Sequence, residues 1–410
     1  MKSTLTAIAL ALAGTAVLAP APVAAQEAPA RQLEVSKKAR PALAALQEAV
    51  NAKNWAAVPG LATAARAAAE KADDRYYLGN LLVRAGQEQE NIDMMAEGIE
   101  TMQTSGYPND NDFVAQYINV GKLYYNAENF APAIEWFNKA AKLDPTNAET
   151  QVLIGEVYNR QEKYAEALGA MARGIELQRA SGQPVNQDWY KRAVSVGYTN
   201  QLLGVAPIGL MWVQDNPTTE TWRNSLRVLE AVLVDTNTLK DAELVDLWRL
   251  MRATDSLESE REYVFYADEL AATGYPGEAL AVINQGIERG VIDANKVTFK
   301  EFLTTVRSSA KGDKEDVVGG VASALAAKEA RPAIATGNAL YGYDMYAEAA
   351  DAYRAALTKS GADTSLVNLR LGMALARAGQ KDEANAAFAL VDGKYKTLAT
   401  YWAAWNDYTN

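Results

Sequence analysis

The chain has no cysteine and no histidine. The first absence excludes disulfides, thiol nucleophiles and lipid attachment at a processed N-terminal cysteine. The second excludes Ser-His-Asp triads, and the two together exclude every Cys/His zinc site. No G-x-x-x-x-G-K-[ST] phosphate loop occurs, and no G-x-G-x-x-G follows a predicted strand. Asn109-Asp110-Asn111-Asp112 lacks the downstream Gly and Glu of a calcium loop. No cofactor or metal site is expected. Positive charge is also in deficit, with 40 Lys and Arg against 51 Asp and Glu for a net charge of −11. No Lys-Arg cluster offsets it, so nucleic acid and anionic headgroups are repelled rather than bound. Proline and glycine number only 13 and 27 and fall mostly at predicted turns, which leaves long helices intact.

The 49% hydrophobic fraction is that of a folded chain, and its alanine content favours helix. Four hundred and ten residues exceed one ordinary core, so several domains or a repeat array are expected. Residues 1–25 read as a secretory signal: Lys2, an apolar run from Leu5 to Leu18, then Val23-Ala24-Ala25 before Gln26. That run of about fourteen residues falls short of the ~20 needed to span a bilayer, so cleavage after Ala25 is expected. No later segment is apolar enough to cross a membrane. These features predict an exported, periplasmic protein, with residues 26–37 as a linker.

The clearest internal pattern lies between Asp112 and Leu177. Tyr117, Val120-Gly121, Tyr124, Phe130, Ala133, Phe137, Ala140 and Pro145 make the first unit. Ile154-Gly155, Tyr158, Tyr164, Ala167, Met171 and Gly174 repeat it 34 residues later. Leu78-Gly79, Leu82, Met95 and Gly98 precede it, with a turn expected at Arg84-Ala85-Gly86-Gln87. Two more units lie at Gly337, Leu340, Tyr346, Ala349, Tyr353 and Ala356, and at Leu371-Gly372, Leu375, Ala384 and Phe388. In the latter, Arg377-Ala378-Gly379-Gln380 repeats the expected turn. Small residues belong where two antiparallel helices approach, and large ones (Tyr124, Phe130, Phe137) where a pair meets its neighbour.

This pattern resembles the tetratricopeptide repeat family. The resemblance implies an all-α superhelical solenoid of about nine or ten antiparallel helix pairs. The expected divisions are repeats at 38–181, degenerate helical pairs at 182–329, and repeats with a capping helix at 330–410. Residues 186–256 fit the phase poorly. Lys311 to Asp316 reads as a solvated turn. Leu398, Tyr401, Trp402 and Trp405 share one face of a last helix, read as a cap, with an aromatic docking or dimerisation surface as the sharper reading.

In the family, the first helix of each unit lines a groove that takes extended peptides. Carried onto this sequence, the outward positions are Tyr76 and Asn80, Lys122 and Tyr125, Glu156, Asn159 and Arg160, and Asn338 and Tyr341. Tyr190 and Tyr198 join them if the degenerate unit keeps phase. Asn can bond a peptide backbone, and Tyr offers a rigid apolar face with a polar tip. The basic residue by which chaperone-tail binders clamp a carboxylate is replaced by Ile118 and Val152. The expected role is a non-catalytic scaffold for protein or peptide partners, within an envelope complex. The alternative is a cell-wall or polysaccharide-active enzyme using paired carboxylates.

Overall fold

A computed structural model describes residues 33–106 and 113–409. The expected signal at 1–25, most of the linker and residues 107–112 lie outside the described residues. Two compact units divide between Val196 and Gly197. The described residues hold no β-strand, only an isolated bridge between Glu329 and Ser360. Both units are built of stacked antiparallel helix pairs.

In the first unit the pairs are α1 (Arg40–Asn51) with α2 (Val58–Ala68), α3 (Ala72–Glu88) with α4 (Ile92–Gln103), α5 (Val114–Asn126) with α6 (Phe130–Leu143), and α7 (Ala148–Arg160) with α8 (Tyr164–Ala180). Helix α9 (Gln187–Thr199) follows and runs across the division. Side chains at helix starts satisfy orphan amides: Asn91 accepts from the Met94 amide at 2.9 Å and Asn147 from that of Thr150 at 3.0 Å. Helix α6 stops at Leu143 because Asp144, placed before Pro145, takes an extended conformation.

One contact explains the repeat. A Cβ on Gly121 would lie 2.5 Å from the Phe137 ring, and one on Gly155 would lie 2.7 Å from Met171. Gly337 stands in the same relation to Tyr353, and Gly372 to Phe388. Each large residue follows its glycine by 16 positions, from the first helix across the turn to the second. Phe137 therefore packs against the first helix of its own pair. Tyr124 does reach the preceding pair, donating to Asp93 of α4 at 2.5 Å.

The turn inside each pair needs one left-handed residue. Glu90, Glu128, Glu162 and Asp344 fill that place at φ 52°, 60°, 61° and 59°, and Gly274 and Gly379 fill it elsewhere. The turn expected at residues 84–87 is absent, since α3 continues through them to Glu88. Gly86 is instead a packing residue, with the Met95 side chain 2.6 Å from where its Cβ would lie. The same tetrapeptide at 377–380 does make the turn, where Gly379 takes φ 75°.

The second unit contains α10 (Ala206–Asp215), α11 (Thr219–Asp235), α12 (Asp241–Ala253), α13 (Glu260–Ala272), α14 (Pro276–Glu288), α15 (Val297–Ala310), α16 (Asp313–Ala326), α17 (Ala330–Gly342), α18 (Tyr346–Leu357), α19 (Thr364–Arg377), α20 (Lys381–Ala389) and α21 (Lys396–Thr409). Residues 219–253 are thus regular helices despite their poor fit to the pattern. The polar turn is confined to Lys311 and Gly312, and Asp313, Glu315 and Asp316 form the acidic first turn of α16.

The end of the chain returns to the start of this unit. Leu398, Tyr401, Trp402 and Trp405 are buried. The Tyr401 hydroxyl donates to the Ala206 carbonyl at 2.8 Å, and the Trp402 Nε1 donates to that of Asp246 at 3.0 Å. One continuous apolar core runs from Ala206 to Trp405. The aromatic face of α21 therefore closes the unit, and no docking or dimerisation surface remains there.

Candidate functional site

In the first unit the outward positions of α3, α5 and α7 make one polar face. Lys122 of α5 pairs with Glu149 of α7 at 2.7 Å. Glu156 of α7 pairs with Arg192 of α9 at 3.1 Å. Arg160, at the end of α7, pairs with Glu128 at 2.7 Å and lies over the Tyr125 and Phe130 rings at 5.9 and 5.7 Å. Tyr125 meets Phe130 edge-on at 6.1 Å. Burial pushes the Tyr125 hydroxyl up, reinforced by Glu156 and opposed by Arg160 and Arg192. Tyr125, Glu156 and Arg160 are thus brought together, and Arg192 joins them.

Tyr125 and Glu156 are nevertheless buried, so they brace this face more than they present it. Asn80, Lys122, Asn159 and Tyr76 are half-buried, and Arg160 is exposed. Tyr190 is fully buried, which removes it from the set, and Tyr198 is half-buried.

Beside Lys122 lies a recess of about 690 Å³, lined by Ala115, Ile118, Asn119, Leu143, Asp144 and Glu149 among others. Asn119 makes no side-chain hydrogen bond within the described residues. Ala115, Ile118 and Asn119 were not singled out as binding residues. Their signal was available, because Glu149 follows Ala115 by one repeat length, so both occupy the same place on successive first helices. Arg192 had no such signal, since residues 186–256 lose the pattern.

In the second unit the expectation fails. Asn338 and Tyr341 are buried, and helices of the same unit cover their face. The Asn338 amide donates to the Tyr275 hydroxyl at 2.9 Å and accepts from that of Tyr353 at 2.7 Å. The Arg249 guanidinium of α12 lies 4.5 Å from the Tyr341 ring centre. The same arginine grips Glu278 of α14 through two bonds of 2.9 and 2.6 Å, and Asp246 at 2.9 Å. Asp246 also accepts from Arg370 of α19 at 2.9 Å. The groove expected at Asn338 and Tyr341 on α17 is filled by α12.

These buried carboxylates are matched by arginines and do not face one another as an acid and a base would. Glu230, raised by burial, is held by the Trp248 Nε1 at 2.5 Å.

Comparison with known proteins adds a family to this geometry. The model for the tetratricopeptide repeat matches residues 114–147, which span α5, α6 and the entry to α7. Residues 114–147 form a tetratricopeptide repeat. This is the repeat in which Gly121 meets Phe137 and whose first helix lines the recess. Such repeats serve generally as protein-interaction scaffolds. Among solved structures, the chain is similar to the crystal structure of the APC/C hetero-tetramer Cut9-Hcn1. The identity is 11%, the match covers 89% of this chain and 87% of that one, and the TM-score is 0.18. No curated protein matches the chain. No helix among the described residues is long and apolar enough to cross a membrane.

Proposed function

We propose that the first unit binds an extended segment of a partner protein along the outward faces of α3, α5 and α7, with no catalytic step. The observation that carries this reading is the recess beside Lys122, where the unpaired Asn119 amide sits among Ala115 and Ile118. An amide that can both donate and accept suits a peptide backbone, and the apolar floor suits a side chain. Asn80, Asn159 and Arg160 extend the same face. The leader-like residues 1–25 support an exported, periplasmic setting and a partner within an envelope complex.

A photo-crosslinking residue placed at Ala115, and in a second variant at Glu135 on α6, tests the reading in intact cells. Adducts are expected from position 115 and not from 135, and Asn119→Ala should diminish them. Equal adducts from both positions, or none from 115, would sink it. Compartment is read separately by fractionation, and recovery of the chain in the membrane fraction with residues 1–25 attached would overturn the periplasmic assignment.

A further inference from the structure

The second unit holds polar groups near Tyr341 that its own core leaves unused. Tyr341 is buried, and its hydroxyl makes no hydrogen bond within the described residues. A buried donor without an acceptor is destabilising unless something from outside completes it. The Tyr341 ring meets Tyr346 edge-on at 5.1 Å, and Arg377, the last residue of α19, lies 4.6 Å over the Tyr346 ring. Arg377 makes no hydrogen bond or ion pair with any described residue. Arg252, in the last turn of α12, donates through Nε to Gln285 at 2.7 Å and leaves its two terminal nitrogens without a protein acceptor.

The charges of both arginines act on the Tyr341 hydroxyl, with Arg377 acting most strongly. Burial pushes that hydroxyl up to about 12, which keeps it a donor at any physiological pH. The arginines of this region are not all paired. Arg249 and Arg370 are matched by Asp246 and Glu278. Arg252 and Arg377 have no ion pair among the described residues, and the Asp344 carboxylate that acts on Arg377 already accepts from the Tyr346 hydroxyl.

We propose that Arg252, Arg377 and Tyr341 form a binding site for one small oxyanion, a carboxylate or phosphate group, in the second unit. Guanidinium groups match the planar or forked oxygens of such a group, and the tyrosine hydroxyl supplies a third donor. A purely structural role at the helix C-termini accounts for the arginines. It does not account for the unpaired hydroxyl.

The test titrates the full chain with sodium acetate and separately with inorganic phosphate, at ionic strength held constant with chloride, following the thermal midpoint. A saturating rise is expected. Arg377→Gln should weaken the apparent affinity about tenfold or more, as loss of a charge-assisted contact does. Tyr341→Phe should weaken it about threefold, yet without anion be at least as stable as the parent, because the orphan hydroxyl is gone. Arg252→Gln gives a second reading should Arg377→Gln fold poorly. Saturation by acetate alone assigns a carboxylate, by phosphate alone a phosphate, and by both an oxyanion of either kind. No saturation with either anion, or saturation unchanged in all three variants, overturns the site.

Discussion

Arg370 of α19 and Asp246 of α12 lie 124 residues apart in sequence and 2.9 Å apart in space, both buried. Asp246 also holds Arg249, and its backbone carbonyl accepts from Trp402 of α21. A single residue thus ties three separate stretches of the second unit together, α19 through its carboxylate and α21 through its backbone.

Removing one member of a buried ionic cluster leaves the others charged and unmatched, at a cost of about 3–5 kcal/mol. Asp246→Ala should therefore lower the unfolding free energy of the second unit, read from urea titration, by that amount. A double variant with Arg370→Met should recover part of the loss, because the stranded guanidinium is then gone. Equal stability of Asp246→Ala and the parent would show that the cluster does not bind the unit together.

The C-terminal helix gives a second test. Trp402 is fully buried and reaches Asp246 across the unit. Trp402→Ala should cost about 3–5 kcal/mol, the usual range for a large core aromatic. Hydrogen exchange should show faster opening in α10 to α12 and unchanged protection in α5 to α8. Unfolding curves that superimpose on the parent would contradict the closure by α21.

Stability should also depend on pH through Asp74. Burial works to raise its carboxyl, but bonds from the backbone amides of Lys71, Ser36 and Glu70 outweigh it and hold the carboxyl at about 2 against an ordinary 3.8. The folded value lies below the unfolded one. Its contribution is therefore complete above 3.8 and is lost as pH falls toward about 2. Asp74→Asn should be less stable than the parent at neutral pH by about 1–3 kcal/mol. That difference should shrink across the acid window. A pH-independent difference between the two urea midpoints would refute the assignment.

The tetrapeptide Arg-Ala-Gly-Gln allows a fourth prediction, because its two copies adopt different structures. Gly86→Ala should destabilise by about 1–3 kcal/mol, because its Cβ would meet the Met95 side chain and the backbone of Asn91 and Met95, so that shortening Met95 relieves only part of the clash. Gly379→Ala should cost about 1–2 kcal/mol through left-handed backbone strain, and no neighbouring change should relieve it. Glu162→Gly, at the matching turn of the fourth pair, should be neutral or stabilising by up to about 1 kcal/mol. Thermal midpoints of the three variants decide, and rescue of Gly379→Ala by a Met95 change would contradict the distinction.

Much of the fold was legible because its deciding contacts are local. Gly121 and Phe137, Gly155 and Met171, Gly337 and Tyr353, and Gly372 and Phe388 stand at one interval, so a pair of helices can be read wherever that interval recurs. Lys122, Tyr125, Glu156 and Arg160 follow from the same phase, which places them on one face. The burial of Tyr125 and Glu156 was not legible, because it depends on Arg160 and on Arg192 of α9, a helix outside the clear pattern.

The sequence by itself determined the helical pairs, the small-against-large packing within each, and the order of the outward faces, since each is set by residues fewer than two turns from a shared loop. Tertiary structure alone decided which of those faces stays open. Nothing local in Asp246 or Trp402 announces a partner more than a hundred residues away. Only the folding of α12 and α21 into one core with α17 and α19 fills the second groove. The first unit keeps its recess beside Lys122. A repeat specifies its own pair through short-range contacts, but whether its groove is vacant depends on long-range burial that the repeat does not encode.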